Sequence, residues 1–500
     1  MNAILYRMKT RTLKQLVLYN YRYIFGYAIV ILFSLYFLGW RLGSLVPGLA
    51  PREMANAVAN TNLQSLASAP VTPLHSLLQY ASFQIFDITS FSIRLPSVLL
   101  SGATVVVLYF LLKKWFGRPT ALMSSALLIS ADWFLFIARL GTGGMEFGFW
   151  LSLSLLSLTK ILERKRAWLI VLALSIVGLL FTPFGPYAAL TLISSLLGFK
   201  VFRSRMHEIN ATIKAISYFV VLLGVAGVVA LSYFNINFIK QLLVIETVPT
   251  IKQFLINMVT NASSVVAILP HANPAVSPSS FAMIRFFELI FIMFGITMLF
   301  KTRVNRLNLM IIVLSTVLFI VSGLSDTSYA LGLFIVPSAI FMTAGIRHLI
   351  HRWKRMFPNN PYARIVAYVP LAVLFLCVVG VHYVTYFKLW ANQTKTQQTF
   401  STDYVLVHNE LNKQSESERS TCFVETDDQS LQILLRESRN SCTDIQFNKS
   451  SLNALTLDSV IIIRPGSPLK SNFKHLGERP LVSTLSEDNV RWLVVETARN

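Results

Sequence analysis

Apolar runs of 18 or more residues recur along the chain, each long enough to cross a hydrocarbon core of roughly 30 Å as a helix. That recurrence constrains the fold before any motif is considered. Inside a bilayer every backbone N–H and C=O must find its partner within the structure, so runs of this length read as helices. Composition agrees: 54% of the 500 residues are hydrophobic, 13% are charged, and the mean hydropathy is +0.58. The formal net charge is +21. In a soluble domain this would suggest nucleic acid. Here Lys and Arg gather in short loops between apolar runs, as the positive-inside rule describes, and nucleic acid is not an expected partner. No small-residue cleavage site closes the first apolar run, so it is expected to be a retained span.

Hydropathy predicts about eleven spans. The first covers about Tyr23–Val46, and others start near Ile93, Thr120, Met145, Ala167, Tyr187, Ala215, Met283, Leu307, Tyr329 and Ile365. Basic clusters alternate between the two sides. Arg7 to Lys14, Lys113 to Arg118, Arg164 to Arg166, Lys200 to Arg205, Lys301 to Arg306 and Arg347 to Arg355 fall on one face, read as cytoplasmic. An odd span count then puts the C-terminal region outside. The expected organisation is a cytoplasmic basic N-terminus (1–22), an all-α multi-pass region (23–389, outer loops 48–92 and 234–281) and a soluble extracytoplasmic α/β domain (390–500).

Only nine acidic residues precede Leu389. Glu163 and Glu208 fall on the cytoplasmic side. Glu53, Asp87, Asp132, Glu146, Glu246, Glu288 and Asp326 fall at the outer ends. Carboxylates near lipid usually face a cavity or a partner, so this distribution predicts a polar cavity opening outward.

The stretch GLAPREMANAVAN, Gly48–Asn60, follows the first span. Pro51 suits the first position of a helix, and Glu53 then lies in its first turn, where an acid complements the dipole. Met54, Ala55, Val58, Ala59, Leu63 and Leu66 form an apolar stripe at helical spacing. A second helix is expected at Thr72-Pro73, capped by the hydroxyl, with Leu74, Leu77, Leu78 and Ala81 on its apolar face. Both helices suit a position on the membrane surface. Loop 234–281 carries Pro270, Pro274 and Pro278 and reads as irregular, a lid or a connector.

From Trp390 onward strands alternate with helical spacing. TCFVET, TDIQF, DSVIIIRP and RWLVVET read as strands, and residues 428–438 as a helix. Asp427-Asp428 suits a helix cap. Cys422 and Cys442 stand at the starts of two strands of one strand–helix–strand unit, close enough for a disulfide. Cys377 lies inside an apolar run and is expected in the core. The sequence shows no metal-ligand cluster.

Several stretches in order carry a likeness: LAPREMANAVA, TPLHSLLQY, FSIRLPSVLLSGATVVVLYFL ending in KKWFG, ISADWFLFIARLGTGG and SYALGLFIVPSAIF. Together they resemble the GT-C class of integral-membrane glycosyltransferases, in the branch of protein O-mannosyltransferases and lipid A aminoarabinose transferases. The resemblance implies a hexosyl- or pentosyltransferase of the plasma membrane. It would take a sugar from a polyprenyl-phosphate carrier to a glycan, lipid or protein acceptor on the outer face. It implies Glu53 as the catalytic base, and Arg94, Arg139, Glu146, Arg285 (or Lys252) and Tyr329 around the substrate and the carrier phosphate. Tyr329 and Pro337 would shape a span beside the lipid. Cofactors stay open, a divalent metal included, beside the lipid-linked sugar as substrate. Two positions depart from the class. Arg52-Glu53 stands where Asp-Glu is common, and Gly144 where an acid is common. Glu146 is two positions later, turned by roughly 200° on a helix. The alternative is therefore a non-catalytic binder or transporter of lipid-linked sugar, or a component of an envelope complex. From the residues alone, His75 suits a metal ligand, a donor to substrate or, as a lone His in a surface helix, neither, and Arg139 a phosphate ligand, a structural partner of Asp132 two turns earlier or a snorkelling Arg at a span end.

Overall fold

The computed structural model describes residues 13–64, 71–245, 249–266, 275, 286–302, 306–325, 328–357, 362, 366, 368–413, 421–439, 442, 444–447, 459–463, 481–487 and 490–496. A helix lies at each of the eleven apolar runs. Six are long and apolar enough to cross a membrane: Ser90–Phe116, Gly144–Leu162, Ala211–Phe234, Arg306–Leu324, Ala330–Met356 and Val369–Trp390. The count rises to 8 if two bent pairs are each one span. One pair, Arg118–Ser130 and Asp132–Ala138, bends by 65°; the other, Gly185–Gly198 and Lys200–His207, by 81°. The expectation of eleven full spans is thus reduced among the described residues. Of the other three runs, the helix Leu13–Gly39 stops at a glycine, Trp168–Leu180 stops before the Thr182–Pro186 turn, and Phe286–Lys301 has 16 residues.

The first outer loop forms the two expected helices, Pro51–Ala59 and Pro73–Phe86, each with Pro in its first turn. Their buried faces differ from the expected apolar stripes. On the first, Glu53, Met54 and Ala57 are buried, whereas Ala55, Ala59 and Leu63 face outward. On the second, His75, Ser76, Gln79, Ser82 and Phe83 are buried, and Leu77, Ile85 and Phe86 are exposed. Beside lipid, apolar side chains gain little by turning inward, so the polar face takes the interior where hydrogen bonds are available. The Thr72 hydroxyl does not cap the helix; it donates to the Val71 carbonyl. Glu146 supplies the cap, accepting from the backbone N–H of Leu74 (3.2 Å) and His75 (2.8 Å).

Loop 234–281 is not irregular throughout. It contains the helices Ile236–Leu243 and Ile251–Val266, which apolar residues at helical spacing support. The prolines fall after them. Residue Cys377 is free and exposed on its helix, facing outward rather than into the core.

The C-terminal region builds a five-stranded sheet of order β2-β1-β3-β5-β4. Its strands are β1 (Thr421–Val424), β2 (Asp444–Gln446), β3 (Ser459–Ile463), β4 (Leu481–Glu487) and β5 (Val490–Glu496). β1 pairs in parallel with β2 and β3, and β5 runs antiparallel to β3 and β4. The helix Gln429–Glu437 connects β1 to β2, and Asp428 caps it by accepting from Ser430 N–H (2.9 Å). Cys422 and Cys442 are disulfide-bonded, with Cα atoms 5.9 Å apart.

This region does not stand apart from the first outer loop. Leu49, Met54, Ala57 and Phe83 share one apolar core with Tyr404, Val407, Leu431 and Leu434. Leu49 and Ser401 form an antiparallel bridge, and Tyr404 donates its phenolic hydrogen to the Ile88 carbonyl (2.7 Å). Gly48 is required here, because a Cβ would overlap the Phe400 carbonyl. The chain from 391 to 402 is thereby pressed against the turn that follows the first helix.

Candidate active site

Arg94 lies in the first turns of the helix Ser90–Phe116, whose start is fixed by Thr89 accepting from Ser92 N–H (3.1 Å). Its guanidinium is buried and pairs with both oxygens of Glu53, Nε to Oε1 at 2.9 Å and Nη2 to Oε2 at 3.1 Å. The remaining N–H groups reach carbonyls of the turn after the first helix, Val46 (2.6 Å), Leu42 (3.3 Å) and Gly48 (2.6 Å). Arg94 therefore ties that turn to the first outer loop.

Glu53 is fully buried. Besides Arg94 it accepts from Gly141 N–H on Oε1 (2.7 Å) and from Ala50 N–H on Oε2 (3.0 Å). Each oxygen thus accepts two hydrogen bonds, which fills the carboxylate's roughly four acceptor positions. The Ala50 bond is local, three residues back. The Gly141 bond reaches across 88 residues to the loop after the bent helix pair.

Arg139 follows the helix Asp132–Ala138 directly. Its Nη1 donates to Phe37 O (2.8 Å) and its Nη2 to Trp40 O (2.6 Å). The guanidinium stands over the rings of Phe387 (5.1 Å) and Tyr386 (5.5 Å). It is 4% exposed, yet no carboxylate lies within ion-pairing distance among the described residues. The expected partnership with Asp132 is not made. Asp132 approaches His382 instead, Oδ1 to Nδ1 at 3.1 Å, while Glu288 Oε1 lies 3.2 Å from Nε2 on the other side of the ring.

Arg94 and Arg139 line one small cavity of ≈ 20 Å³, together with Phe136, Tyr386, Trp390 and Phe400. Tyr386 and Trp390 come from a π-helical segment, Val384–Trp390, and such segments often mark functional sites. Ala275, the described residue of the proline-rich stretch, also touches the cavity. Among the described residues no carboxylate lines it. Glu146 does not line the cavity either; it caps the helix Pro73–Phe86 and accepts from Trp150 Nε1 (3.1 Å).

His75 is buried, and burial lowers its pKa to about 4, so it is neutral at neutral pH. The Ser97 hydroxyl donates to Thr142 O (2.9 Å), so His75 Nε2 donates to Ser97 Oγ (3.0 Å), leaving Nδ1 as a buried acceptor. Lys252 is exposed on its helix. Arg285 lies outside the described residues, as does the side chain of Tyr329, whose backbone is in the helix Ser328–Gly332. Pro337 is buried in the helix Ile335–Met356. Among the described residues no group of three or more His, Cys, Asp or Glu could hold a metal ion. In the Asp132–His382–Glu288 cluster the two carboxylates sit on opposite sides of the imidazole. Sequence reasoning missed His382, Tyr386 and Trp390. The signal present was one of polar and aromatic groups at helical spacing near the outer end of the last span.

Bent apolar helices around a buried basic cavity describe a multi-pass membrane fold, and the comparisons say what that fold is similar to. The family model for dolichyl-phosphate-mannose-protein mannosyltransferase matches residues 69–231. ArnT from Cupriavidus metallidurans in the apo state is similar over nearly the whole chain, with a TM-score of 0.55 and 14% identity, covering 94% of this chain and 97% of that one. The same protein bound to undecaprenyl phosphate gives a TM-score of 0.54 and 14% identity, over 95% and 98%. At this identity the likeness is one of fold. A search of the curated proteins finds no significant match.

Proposed function

We propose that the chain is a membrane glycosyltransferase that takes a sugar from a polyprenyl-phosphate carrier, with the carrier phosphate held between Arg94 and Arg139. The observation that carries this reading is Arg139, a buried guanidinium facing a cavity without a carboxylate partner among the described residues. An uncompensated buried charge costs several kcal/mol, which an anionic ligand would relieve. Arg94 is already balanced by Glu53, so the two arginines and one carboxylate leave a net charge of +1 (+2 − 1). A sugar-loaded carrier is a phosphodiester of charge about −1 and neutralises that excess. When the sugar departs, the phosphate becomes a monoester of charge about −1.5 to −2. Attraction to Arg94 and Arg139 therefore grows along the reaction, which lowers the barrier rather than only tightening binding. The ArnT structure solved with undecaprenyl phosphate supports the choice of ligand.

Glu53 takes the part of a positioning residue in this reading. It orients Arg94 and holds the Gly141 loop against the helix Pro51–Ala59. To serve as the base, it would have to release one of its four donors. The outer-face placement follows from Arg94 standing at the opposite end of its helix from Lys113 and Lys114. One observation favours the second reading, a carrier binder without turnover: among the described residues no carboxylate lines the cavity.

Native mass spectrometry of the purified protein tests the site, with polyprenyl phosphate against the alcohol of equal length. The phosphate is expected to be retained preferentially, and Arg139→Gln to weaken it by on the order of 10- to 100-fold. Equal retention of the alcohol, or an unaffected variant, would contradict the proposal. Sugar release from a loaded carrier then separates the transferase from the binder.

A further inference from the structure

A second hollow adjoins the arginine cavity. It has a volume of ≈ 450 Å³ and shares Leu45, Val46 and Phe400 with the first. Its far wall comes from residues 391–402, which the Leu49–Ser401 bridge holds against the turn at Ser44–Gly48. Asn392, Thr394, Gln397, Gln398 and Thr402 supply its polar groups. Among the described residues of its lining none is Asp, Glu, Lys, Arg or His. Lys388 and Lys395 belong to the same stretch and lie outside the lining.

We propose that this groove holds the sugar ring of the lipid-linked donor and selects an uncharged sugar, with Asn392, Gln397 and Gln398 as specificity-determining residues. The inference rests on the carrier-phosphate reading of the arginine cavity. A sugar bonded to a phosphate must lie beside the phosphate, and the two hollows are neighbours that share Leu45, Val46 and Phe400 in their walls. Primary amides both donate and accept, which matches the paired donor and acceptor character of neighbouring hydroxyls. Gln397 and Gln398 are exposed along the helix Thr394–Thr399, in reach of a ligand in the groove. Phe400 stands under the Arg94 guanidinium (5.6 Å) and packs edge-on against Trp390 (5.9 Å), so an aromatic surface marks the junction of phosphate and sugar.

Charged sugars fit this lining poorly. The ammonium of an amino sugar would find no carboxylate among the described residues of either hollow and would lie beside Arg94 and Arg139. The carboxylate of a uronic acid would compete with the phosphate for the same arginines. A charge desolvated without its partner is costly, whereas a hydroxyl needs only the amides present.

The test measures binding to the full chain of three ligands: bare polyprenyl phosphate, the same carrier bearing a neutral hexose, and the carrier bearing an amino sugar. The neutral hexosyl carrier is expected to bind about ten-fold more tightly than the bare carrier. The amino-sugar carrier is expected to show no such gain. Gln397→Ala with Gln398→Ala should remove the gain and leave affinity for the bare carrier unchanged. Two results would overturn the inference alone: an amino-sugar carrier bound more tightly than the neutral one, or a full gain retained in the double variant. Binding of the bare carrier with no gain from any sugar would do the same. Failure of the bare carrier itself to bind would overturn the phosphate reading and this inference with it.

Discussion

Replacing Glu53 by Gln removes one formal charge and exchanges one acceptor for a donor. Each carboxylate oxygen accepts one backbone N–H and one Arg94 N–H. Whichever way the amide is turned, its NH2 therefore faces two donors. Arg94, 4% exposed, also loses its counter-charge. Breaking a buried pair by removing one partner costs about 3–5 kcal/mol, a large part of a typical folding free energy of about 5–15 kcal/mol. Glu53→Gln is thus expected to be markedly destabilised in denaturant unfolding of the detergent-solubilised protein. Arg94→Met should be at least as damaging, because the carbonyls of Leu42, Val46 and Gly48 lose their donors too. The double variant should be no less stable than Arg94→Met alone, a coupling at least as large as the Glu53→Gln cost of about 3–5 kcal/mol. A Glu53→Gln protein within about 1 kcal/mol of the wild type, yet unable to transfer sugar, would refute this reasoning. Glu53 would then act chemically rather than as a holding group.

Other expectations follow from single features. His75 has a folded pKa of about 4 against 6.5 in the open chain, because burial disfavours the charged ring. The unfolded state takes up its proton first, so the His75 contribution is complete above about pH 6.5 and falls by about 3 kcal/mol towards pH 4. His75→Asn should flatten that part of the stability–pH curve; an unchanged slope would contradict the assignment. Losing the Cys422–Cys442 bridge, which spans 20 residues, should cost on the order of 3 kcal/mol by the chain-entropy model. Free alkylation of both thiols in protein isolated without reductant would contradict the bond. Reporter fusions should place the Arg164 loop inside and a tail fusion at Ser415 outside, and a tail accessible only from the cytoplasm would reverse the orientation of the cavity.

What the sequence revealed was mainly local. Helix starts at Pro51 and Pro73 follow from proline chemistry, and strands β1, β2, β3 and β5 follow from alternating apolar residues. Arg94 and Arg139 stood out through the resemblance, as cations suited to a carrier phosphate. The partners themselves are long-range. Glu53 meets Gly141 across 88 residues, and Glu146 caps a helix that begins 73 residues earlier at Pro73. Nothing local in either stretch announces those bonds. The inward polar face of Pro73–Phe86 was also hidden, because helical spacing identifies an apolar stripe and does not say whether lipid or protein covers it. His382 was not singled out, and only the fold sets Asp132 and Glu288 on either side of it.

The central claim is that Arg94 and Arg139 together receive a carrier phosphate. Its most direct measurement is an experimental structure of the protein saturated with polyprenyl phosphate. The phosphate should lie in the cavity bounded by Phe136, Tyr386, Trp390 and Phe400, with its oxygens within hydrogen-bonding distance of both guanidinium groups. A phosphate bound elsewhere, or a cavity still empty at saturation, would contradict the account.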